Sequence, residues 1–320
     1  MTTLNPSAAR AVPAHGLAAW THKLRKDLHQ YRCIYLMLIP VLAWYICFCY
    51  VPMYGVQIAF KNFAPGLGII NSPWVGIYHL RSFFNSPYCF RLIRNTLLLS
   101  LYSIIFSVPA SIILALMLNE VNCTPFKRTV QTISYLPHFI SVVVLCGIIR
   151  EFTNNGGLIN NIVVALGGSS KSMLGIPSLF RPIYIISEIW KGVGWGSIIY
   201  LAALSGIDPS LYDAATVDGA GRFRRIWHIT LPGILPTIVI MFILRIGSFM
   251  NIGWEKIILL YNDATMSTAD VISSFVYRKG LVEQGYSYSA AVGLFNSLVN
   301  FILVSLANGV SRRFGETSLW

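Results

Sequence analysis

Three ionisable side chains interrupt the apolar segments of this chain, and one of them, a mid-segment arginine, suits the binding of an anion. Glu188 and Lys191 lie in one apolar segment, and Arg245 lies near the middle of another. Charged groups are costly in lipid and usually face a protein interior or water. These three residues are therefore candidates for a substrate path. Two alternatives stay open: Glu188 and Lys191, three residues apart, can form a structural ion pair, and Arg245 can pair with an acid of another subunit.

A polar, basic island, residues 211–232, lies between two apolar segments. Asp208 and Pro209 suit a helix start, Gly219 allows a break, and Pro232 suits a return to the membrane at the start of the next helix. The island is predicted to be two helices on a membrane surface, either an ordinary amphipathic hairpin or a docking site for a soluble protein. The second helix has Phe223, Ile226 and Trp227 on one face, with Arg222, Arg224 and Arg225 beside it.

Motifs for covalent chemistry are missing from the sequence. It contains neither a phosphate-binding G-x-x-x-x-G-K-[ST] loop nor an H-E-x-x-H motif. His15, His22 and His29 are spaced by seven residues, too far apart along a helix to converge on a metal. The glycines of segment 192–196 suit close helix packing. We therefore predict no catalytic residue, no metal site and no cofactor bound by this chain, and we interpret His138 as structural or interfacial.

The composition indicates an integral membrane protein. Hydrophobic residues make up 55% of the 320 residues and charged residues 11%, whereas soluble domains carry about 25% charged residues. The net charge of +12 comes mainly from short clusters beside apolar segments, as expected for residues that set membrane topology. Basic and aromatic residues do not alternate in a stripe, so a nucleic-acid partner is excluded, and membrane lipid is the expected surroundings.

Six apolar segments are long enough to cross a bilayer, which needs about 20 residues. The predicted fold is an all-α, polytopic bundle of transmembrane helices in a domain of residues 33–313. It is preceded by an amphipathic cytoplasmic segment, 1–32, and followed by a cytoplasmic tail, 314–320. The predicted spans are about 33–53, 92–118, 129–149, 183–204, 233–252 and 288–310, with a cytoplasmic loop at 205–232.

The basic residues before the first span place both termini in the cytoplasm. Lys23, Arg25, Lys26 and Arg32 form a dense group there, and the first flank usually decides orientation. Long outer loops then cover 54–90, 150–182 and 253–287, and they are rich in aromatic residues. These aromatics are either an interfacial belt or a platform for an extracytoplasmic partner, and the sequence favours neither.

The island resembles a known motif, the EAA loop of ABC importer permeases. The similarity lies in Asp213-Ala214-Ala215, in Gly219 after three further residues, and in Ile229-Thr230-Leu231-Pro232. Tyr212, Asp218-Gly219-Ala220 and Phe223 are similar to the carbohydrate-importing branch. Segments 50–55 and 58–63 resemble the subgroup that imports acidic or complex oligosaccharides, and the resemblance extends over about residues 33–313.

This resemblance implies a type I ABC importer permease in the bacterial inner membrane, carrying oligosaccharides, including acidic ones such as alginate. It implies a second homologous permease, an ATP-binding subunit dimer that holds ATP and Mg, and a periplasmic oligosaccharide-binding protein. The ATPase would grip residues 208–231 as a coupling segment. The implied contact residues are Asp213, Ala214, Ala215, Asp218, Gly219, Ala220 and Phe223.

Two points qualify these expectations. Asp213 stands where the family usually has Glu, and its side chain is one methylene shorter, so an ion pair with the ATPase would be longer or bridged by water. The alternative function is an ion-gradient-driven secondary transporter. That class is expected to show an inverted repeat with paired broken helices, and no clear repeat is visible in the sequence.

Overall fold

The prediction of an all-α fold is confirmed. A computed structural model describes residues 30–314, which form helices and no β-strand; the one isolated bridge joins Lys61 and Trp74. The predicted amphipathic segment 1–32 lies, except for its last three residues, outside the described residues. The predicted tail 314–320 lies outside them after residue 314.

Residues 30–57 belong to the first of two compact units. Its described part begins with helix α1, Arg32–Tyr45, which continues as a π-helical turn, Ile46–Tyr50, a short helix, Val51–Met53, and a 3-10 helix, Tyr54–Phe60. Its apolar side chains are exposed on all sides. A helix that is apolar all round suits lipid or other membrane helices.

The second unit begins at Ile58. Its main helices are α2 (Tyr78–Phe84), α3 (Cys89–Glu120), α4 (Thr124–Tyr135), α5 (Val142–Thr153), α6 (Leu158–Ala165), α7 (Pro177–Leu204), α8 (Pro209–Val217), α9 (Arg222–Gly247), α10 (Trp254–Leu260), α11 (Ile272–Tyr277) and α12 (Tyr286–Phe314). Shorter turns lie at Gly68–Asn71, Leu136–Phe139, Met173–Gly175, Met266–Ala269 and Arg278–Val282.

Five helical segments within residues 30–314 are long and apolar enough to cross a membrane. They are Arg32–Phe60, Cys89–Glu120, Val142–Ala165, Arg222–Gly247 and Tyr286–Arg313. Helix α7 has 28 residues, which is about 42 Å at 1.5 Å per residue, but Glu188, Lys191 and its glycines reduce its hydropathy. Six spans, with both termini inside, therefore stay a prediction.

The predicted third span, 129–149, is not one helix. Helix α4 ends at Tyr135, a 3-10 turn follows at Leu136–Phe139, and Ile140 is extended. Pro137 has no N–H to continue the helical hydrogen bonds. The Ser141 side chain then caps a new helix by accepting a hydrogen bond from the Val144 N–H at 3.3 Å. The long apolar segment found in this region is Val142–Ala165.

Helix α9 also differs from the prediction, because it does not stop at Leu231-Pro232. It runs from Arg222 to Gly247 through a π-helical turn at Ile226–Thr230. In a π turn the hydrogen bonds reach one residue further, and this wider turn lets the helix pass Pro232. The surface segment and the membrane segment are thus one continuous helix.

Helices α3 and α7 pack closely together, and α7 also packs against α4. A Cβ atom at Gly194 would overlap the backbone carbonyl of Ser134, and one at Gly196 would collide with the Ser111 side chain. Close packing is therefore confirmed as the role of these two glycines. Gly192 differs, because a Cβ there would meet no neighbour.

A fully buried carboxylate anchors the segment between α10 and α12. Asp270 is 0% exposed, and its Oδ2 accepts a hydrogen bond from Arg278 Nη2 at 2.8 Å. The Ser274 hydroxyl donates to Oδ1 at 2.8 Å, and the Asn95 amide donates to the Asp270 backbone oxygen at 3.0 Å. A buried charge needs such partners, so this ion pair is structural.

Candidate functional site

A cavity of about 490 Å³ opens among α3, α5, α7, α9 and α10, within the usual size range of small-molecule sites. All three substrate-path candidates, Glu188, Lys191 and Arg245, lie on its wall. The polar and aromatic side chains of its lining include Ser107, His138, Tyr184, Glu188, Lys191, Trp195, Arg245, Trp254, Glu255 and Lys256.

Glu188 bridges two cations in this cavity. Its Oε1 lies 3.4 Å from Arg245 Nη2, and its Oε2 lies 3.6 Å from Lys256 Nζ. The Arg245 Nη2 also donates to Ser103 Oγ at 3.0 Å. The hypothesis of a Glu188–Lys191 pair is wrong in this structure, since the Glu188 carboxylate turns toward α9 and α10 and not along its own helix.

Lys256 is a site residue that the sequence did not reveal. It falls within the predicted outer loop 253–287, yet its side chain is buried, at 8% exposure. Its Nζ donates to the Tyr184 carbonyl at 2.9 Å and lies 4.1 Å from the centre of the Tyr184 ring. One available sign was its place next to the apolar run Ile257–Leu260, which folds inward as part of α10.

Aromatic rings form another part of the cavity wall. The His138 and Trp195 rings are stacked, with centroids 4.4 Å apart and planes 2° apart. Trp254 stacks on Tyr277 at 4.6 Å. His138 therefore contributes to the cavity, and its interpretation as an isolated structural residue is incomplete, because the turn at 136–139 brings it to α7.

Glu188 and Arg245, which form the ion pair, also line a second cavity. A smaller space of about 180 Å³ is lined by Ser100, Ser103, Ser248, Asn251 and neighbouring residues. Both cavities share Tyr184, Glu188, Arg245 and Gly253. Glu188 and Arg245 therefore lie at the boundary of both cavities.

Helix α8 begins and ends as the sequence predicted. Asp208 is its N-cap and accepts a hydrogen bond from the Ser210 N–H at 2.9 Å. Hydrogen bonds from the Ser210 backbone and side chain lower the pKa of Asp208 below its ordinary value. Gly219 has φ +71°, a conformation that favours glycine, and the Ala220 N–H closes the turn on the Ala215 carbonyl at 2.8 Å.

Helix α8 is tied to the start of α9 by side chains. The Tyr212 hydroxyl lies 3.1 Å from Thr230 Oγ1, and Arg225 Nη1 donates to Thr216 Oγ1 at 3.2 Å. Arg222 lies 4.0 Å from the Glu120 carboxylate at the end of α3. These contacts hold α8 and α9 as one angled surface at this end of the bundle.

The helix pair leaves its candidate contact residues accessible. Asp213, Ala214, Asp218, Gly219 and Phe223 are exposed, and Ala215 and Ala220 are half-buried. Phe223 is 89% exposed and Trp227 is 70% exposed. Neighbouring exposed apolar side chains of this kind mark a surface that binds something.

The model of the family described as "Binding-protein-dependent transport system inner membrane component" matches residues 90–316. The chain belongs to this family. It is therefore an inner membrane permease component, and similarity to a permease chain of a solved alginate ABC transporter confirms the predicted type I ABC permease fold.

Three relatives are similar over nearly their whole length. Protein LplB of Bacillus subtilis is 45% identical over 94% of this chain and 94% of its own length. The polygalacturonan/rhamnogalacturonan transport system permease protein YteP of Bacillus subtilis is 44% identical over 93% of both chains. The third is a chain in a crystal structure of a bacterial alginate ABC transporter, which is in complex with an alginate pentasaccharide-bound periplasmic protein. It is 43% identical, with a TM-score of 0.86, over 93% of this chain and 100% of that chain.

Proposed function

We propose that this permease is one of two transmembrane subunits of an ATP-driven importer for acidic oligosaccharides, such as fragments of alginate or of polygalacturonan. The observation that carries the proposal is the cavity beside Arg245. Its fully charged side chains are three cations, Lys191, Arg245 and Lys256, and two carboxylates, Glu188 and Glu255. The excess of positive charge suits a carboxylated sugar, and alginate and polygalacturonan, for which two relatives are named, are acidic polymers.

The aromatic rings complete the chemistry of a sugar site. Flat rings such as Trp195, stacked on His138, offer apolar faces to the C–H side of a pyranose ring, and guanidinium and ammonium groups bind its carboxylate. Arg245, Glu188 and Lys191 are thus the proposed substrate-path residues. The cavity lies between helices, where small-molecule sites of helical bundles usually occur.

The angled surface formed by α8 and the start of α9 is proposed to couple this subunit to a separate ATPase. Asp213 would face a cationic surface of the ATPase, and Phe223 and Trp227 would insert into its apolar cleft. The remaining proposed contacts are Ala214, Ala215, Asp218, Gly219 and Ala220. ATP and Mg would be bound by the ATPase dimer, and this chain would perform no covalent chemistry.

The outer partner is proposed to be a periplasmic oligosaccharide-binding protein. Residues 58–78 form an ordered loop, in which Lys61 Nζ donates to the Ile69 carbonyl at 2.7 Å and Phe60 stacks on Trp74. Trp74 and Ile77 are each more than half exposed there. With both termini in the cytoplasm, this loop would face the periplasm.

Reconstitution of the whole transporter tests the proposal. Two permeases, the ATPase dimer and the binding protein are placed in liposomes, and uptake of radiolabelled trigalacturonate or alginate trisaccharide is measured with internal ATP. Uptake should require hydrolysable ATP and the binding protein. Uptake that survives ATP depletion and is abolished by an ionophore would instead identify an ion-gradient-driven secondary transporter.

A further inference from the structure

Two carboxylates of this chain pair with cations in very different ways. The Asp270 side chain is fully buried, and its Oδ2 receives Arg278 Nη2 at 2.8 Å, the length of a strong charge-assisted hydrogen bond. The Glu188 side chain is 31% exposed in the cavity and lies 3.4 Å and 3.6 Å from its two cations. Both distances exceed the range of about 2.7–2.9 Å that is usual for such pairs. Glu188 is therefore held loosely and within reach of the cavity contents.

The two cations around Glu188 have the geometry of an anion site. Arg245 and Lys256 reach one carboxylate from α9 and α10, each through a different oxygen. Lys256 is held from behind by the Tyr184 carbonyl and ring, and Arg245 is held by Ser103. These supports keep both cations in place when the carboxylate leaves.

We propose that Glu188 is a built-in counter-ion that occupies the binding site of a sugar carboxylate between Arg245 and Lys256, and that an acidic oligosaccharide displaces it during import. The proposal rests on the substrate path proposed above and names the group with which the substrate competes. Glu188 lines both cavities, so its displacement also changes the boundary between them.

Such a counter-ion stabilises the transporter when no substrate is bound. Two cations without a partner in a partly buried site would repel each other and would attract any small anion. A carboxylate of the chain itself satisfies them, yet it weakens substrate binding, since the apparent affinity falls with the fraction of molecules whose site is free. Only a sugar with a carboxylate can therefore compete with Glu188 for Arg245 and Lys256. A neutral sugar cannot displace it.

The test is a binding measurement on the intact transporter, two permeases with the ATPase dimer, in lipid nanodiscs. The probes are radiolabelled trigalacturonate and its carboxyl-reduced, neutral counterpart, measured by equilibrium dialysis. Glu188→Gln keeps the shape of the side chain and removes its charge, so trigalacturonate binding should tighten about fivefold or more. Binding of the neutral trisaccharide should not change.

Glu255→Gln is the matched control. Glu255 lines the same cavity but makes no ion pair with Arg245 or Lys256 among the described residues. Both substitutions change the charge of the cavity equally, so equal tightening by both would overturn the counter-ion role. If Glu188→Gln does not assemble, Glu188→Asp keeps the charge on a shorter side chain that spans the two cations less well, and it should tighten binding by a smaller factor.

The failure of this inference is distinguishable from that of the proposed function. Unchanged trigalacturonate affinity in both Glu188 variants, with Arg245→Ala still weakening it, would overturn the counter-ion role and leave the substrate path standing. No saturable binding in any variant, and no effect of Arg245→Ala, would overturn both. Tightening that is limited to Glu188 variants and to the acidic probe would support the inference.

Discussion

The Tyr212 hydroxyl lies 3.1 Å from Thr230 Oγ1 and joins α8 to the π-helical turn of α9. It is a direct side-chain link between the surface helix and the long helix that enters the membrane. If α8 receives the movement of the ATPase, this hydrogen bond helps pass that movement to α9.

Loss of this hydrogen bond should weaken coupling. Tyr212→Phe removes the hydroxyl, and we expect sugar-stimulated ATPase activity to fall about fivefold, since one such bond contributes about 1 kcal/mol. Thr230→Val should have a similar effect, and the double variant should be no worse than either single one. Fully additive losses in this double-mutant cycle would show that the two side chains act separately.

The charge at Asp213 should decide whether the ATPase responds. Asp213→Lys reverses the charge on an exposed position of α8, and we expect it to abolish sugar-stimulated ATPase activity while the permeases still insert into the membrane. Asp213→Glu restores the residue usual in the family and serves as the matched control, with stimulation retained. Stimulation that is unchanged in Asp213→Lys would remove Asp213 from the contact.

Arg245 should discriminate between acidic and neutral sugars. Arg245→Ala is expected to lower uptake of an acidic oligosaccharide about tenfold or more, the scale of a lost hydrogen bond between charged groups, and to affect the carboxyl-reduced sugar much less. Arg245→Lys keeps the positive charge, so its uptake of the acidic oligosaccharide should lie between that of the wild type and that of Arg245→Ala. Equal losses for both sugars would indicate that Arg245 only supports the fold through Glu188.

Gly194 should be intolerant of any side chain. A Cβ there would overlap the Ser134 carbonyl, so Gly194→Ala forces α7 away from α4 and should destabilise the protein by about 1–3 kcal/mol. Thermal unfolding in detergent gives the measurement. Gly293→Ala is the control: a Cβ there meets no atom within 4 Å, and alanine is the better helix former. If both variants melted at the same temperature, the close contact at Gly194 would make no contribution to stability.

The buried pair at Asp270 should matter for stability and not for substrate choice. Asp270→Asn removes the negative charge that Arg278 and the more distant Arg91 face, and we expect the free energy of unfolding to fall by about 3 kcal/mol. Glu283→Gln, which breaks an exposed pair with Lys279, should change it by less than about 1 kcal/mol. A stable Asp270→Asn variant would contradict a structural role for this carboxylate.

Local chemistry made parts of this fold predictable. The limits of α8 follow from the Asp208 cap and the positive φ of Gly219, both of which act within a few residues. The tight packing at Gly194 was also predictable, because glycines inside a membrane segment usually serve close approach.

The partners of Glu188 were not predictable in the same way. Arg245 lies 57 residues after Glu188 in the sequence, and Lys256 lies further on. Only the packing of α7, α9 and α10 brings the three side chains together. Lys191, at helical spacing from Glu188, was the natural partner by local reasoning, but a side chain takes the partner that the tertiary fold places nearest. The break at 136–141 was missed because a single proline is compatible with either a kinked or an interrupted helix.

The continuity of α9 has a thermodynamic consequence. Phe223 and Arg245 lie on one uninterrupted helix, about 33 Å apart at 1.5 Å per residue. Coupling arises if a sugar carboxylate at Arg245 and nucleotide at the ATPase each bind more tightly in one position of this helix than in another. Reciprocity then requires that occupancy at Arg245 changes nucleotide affinity at the ATPase by the same factor by which nucleotide changes sugar affinity.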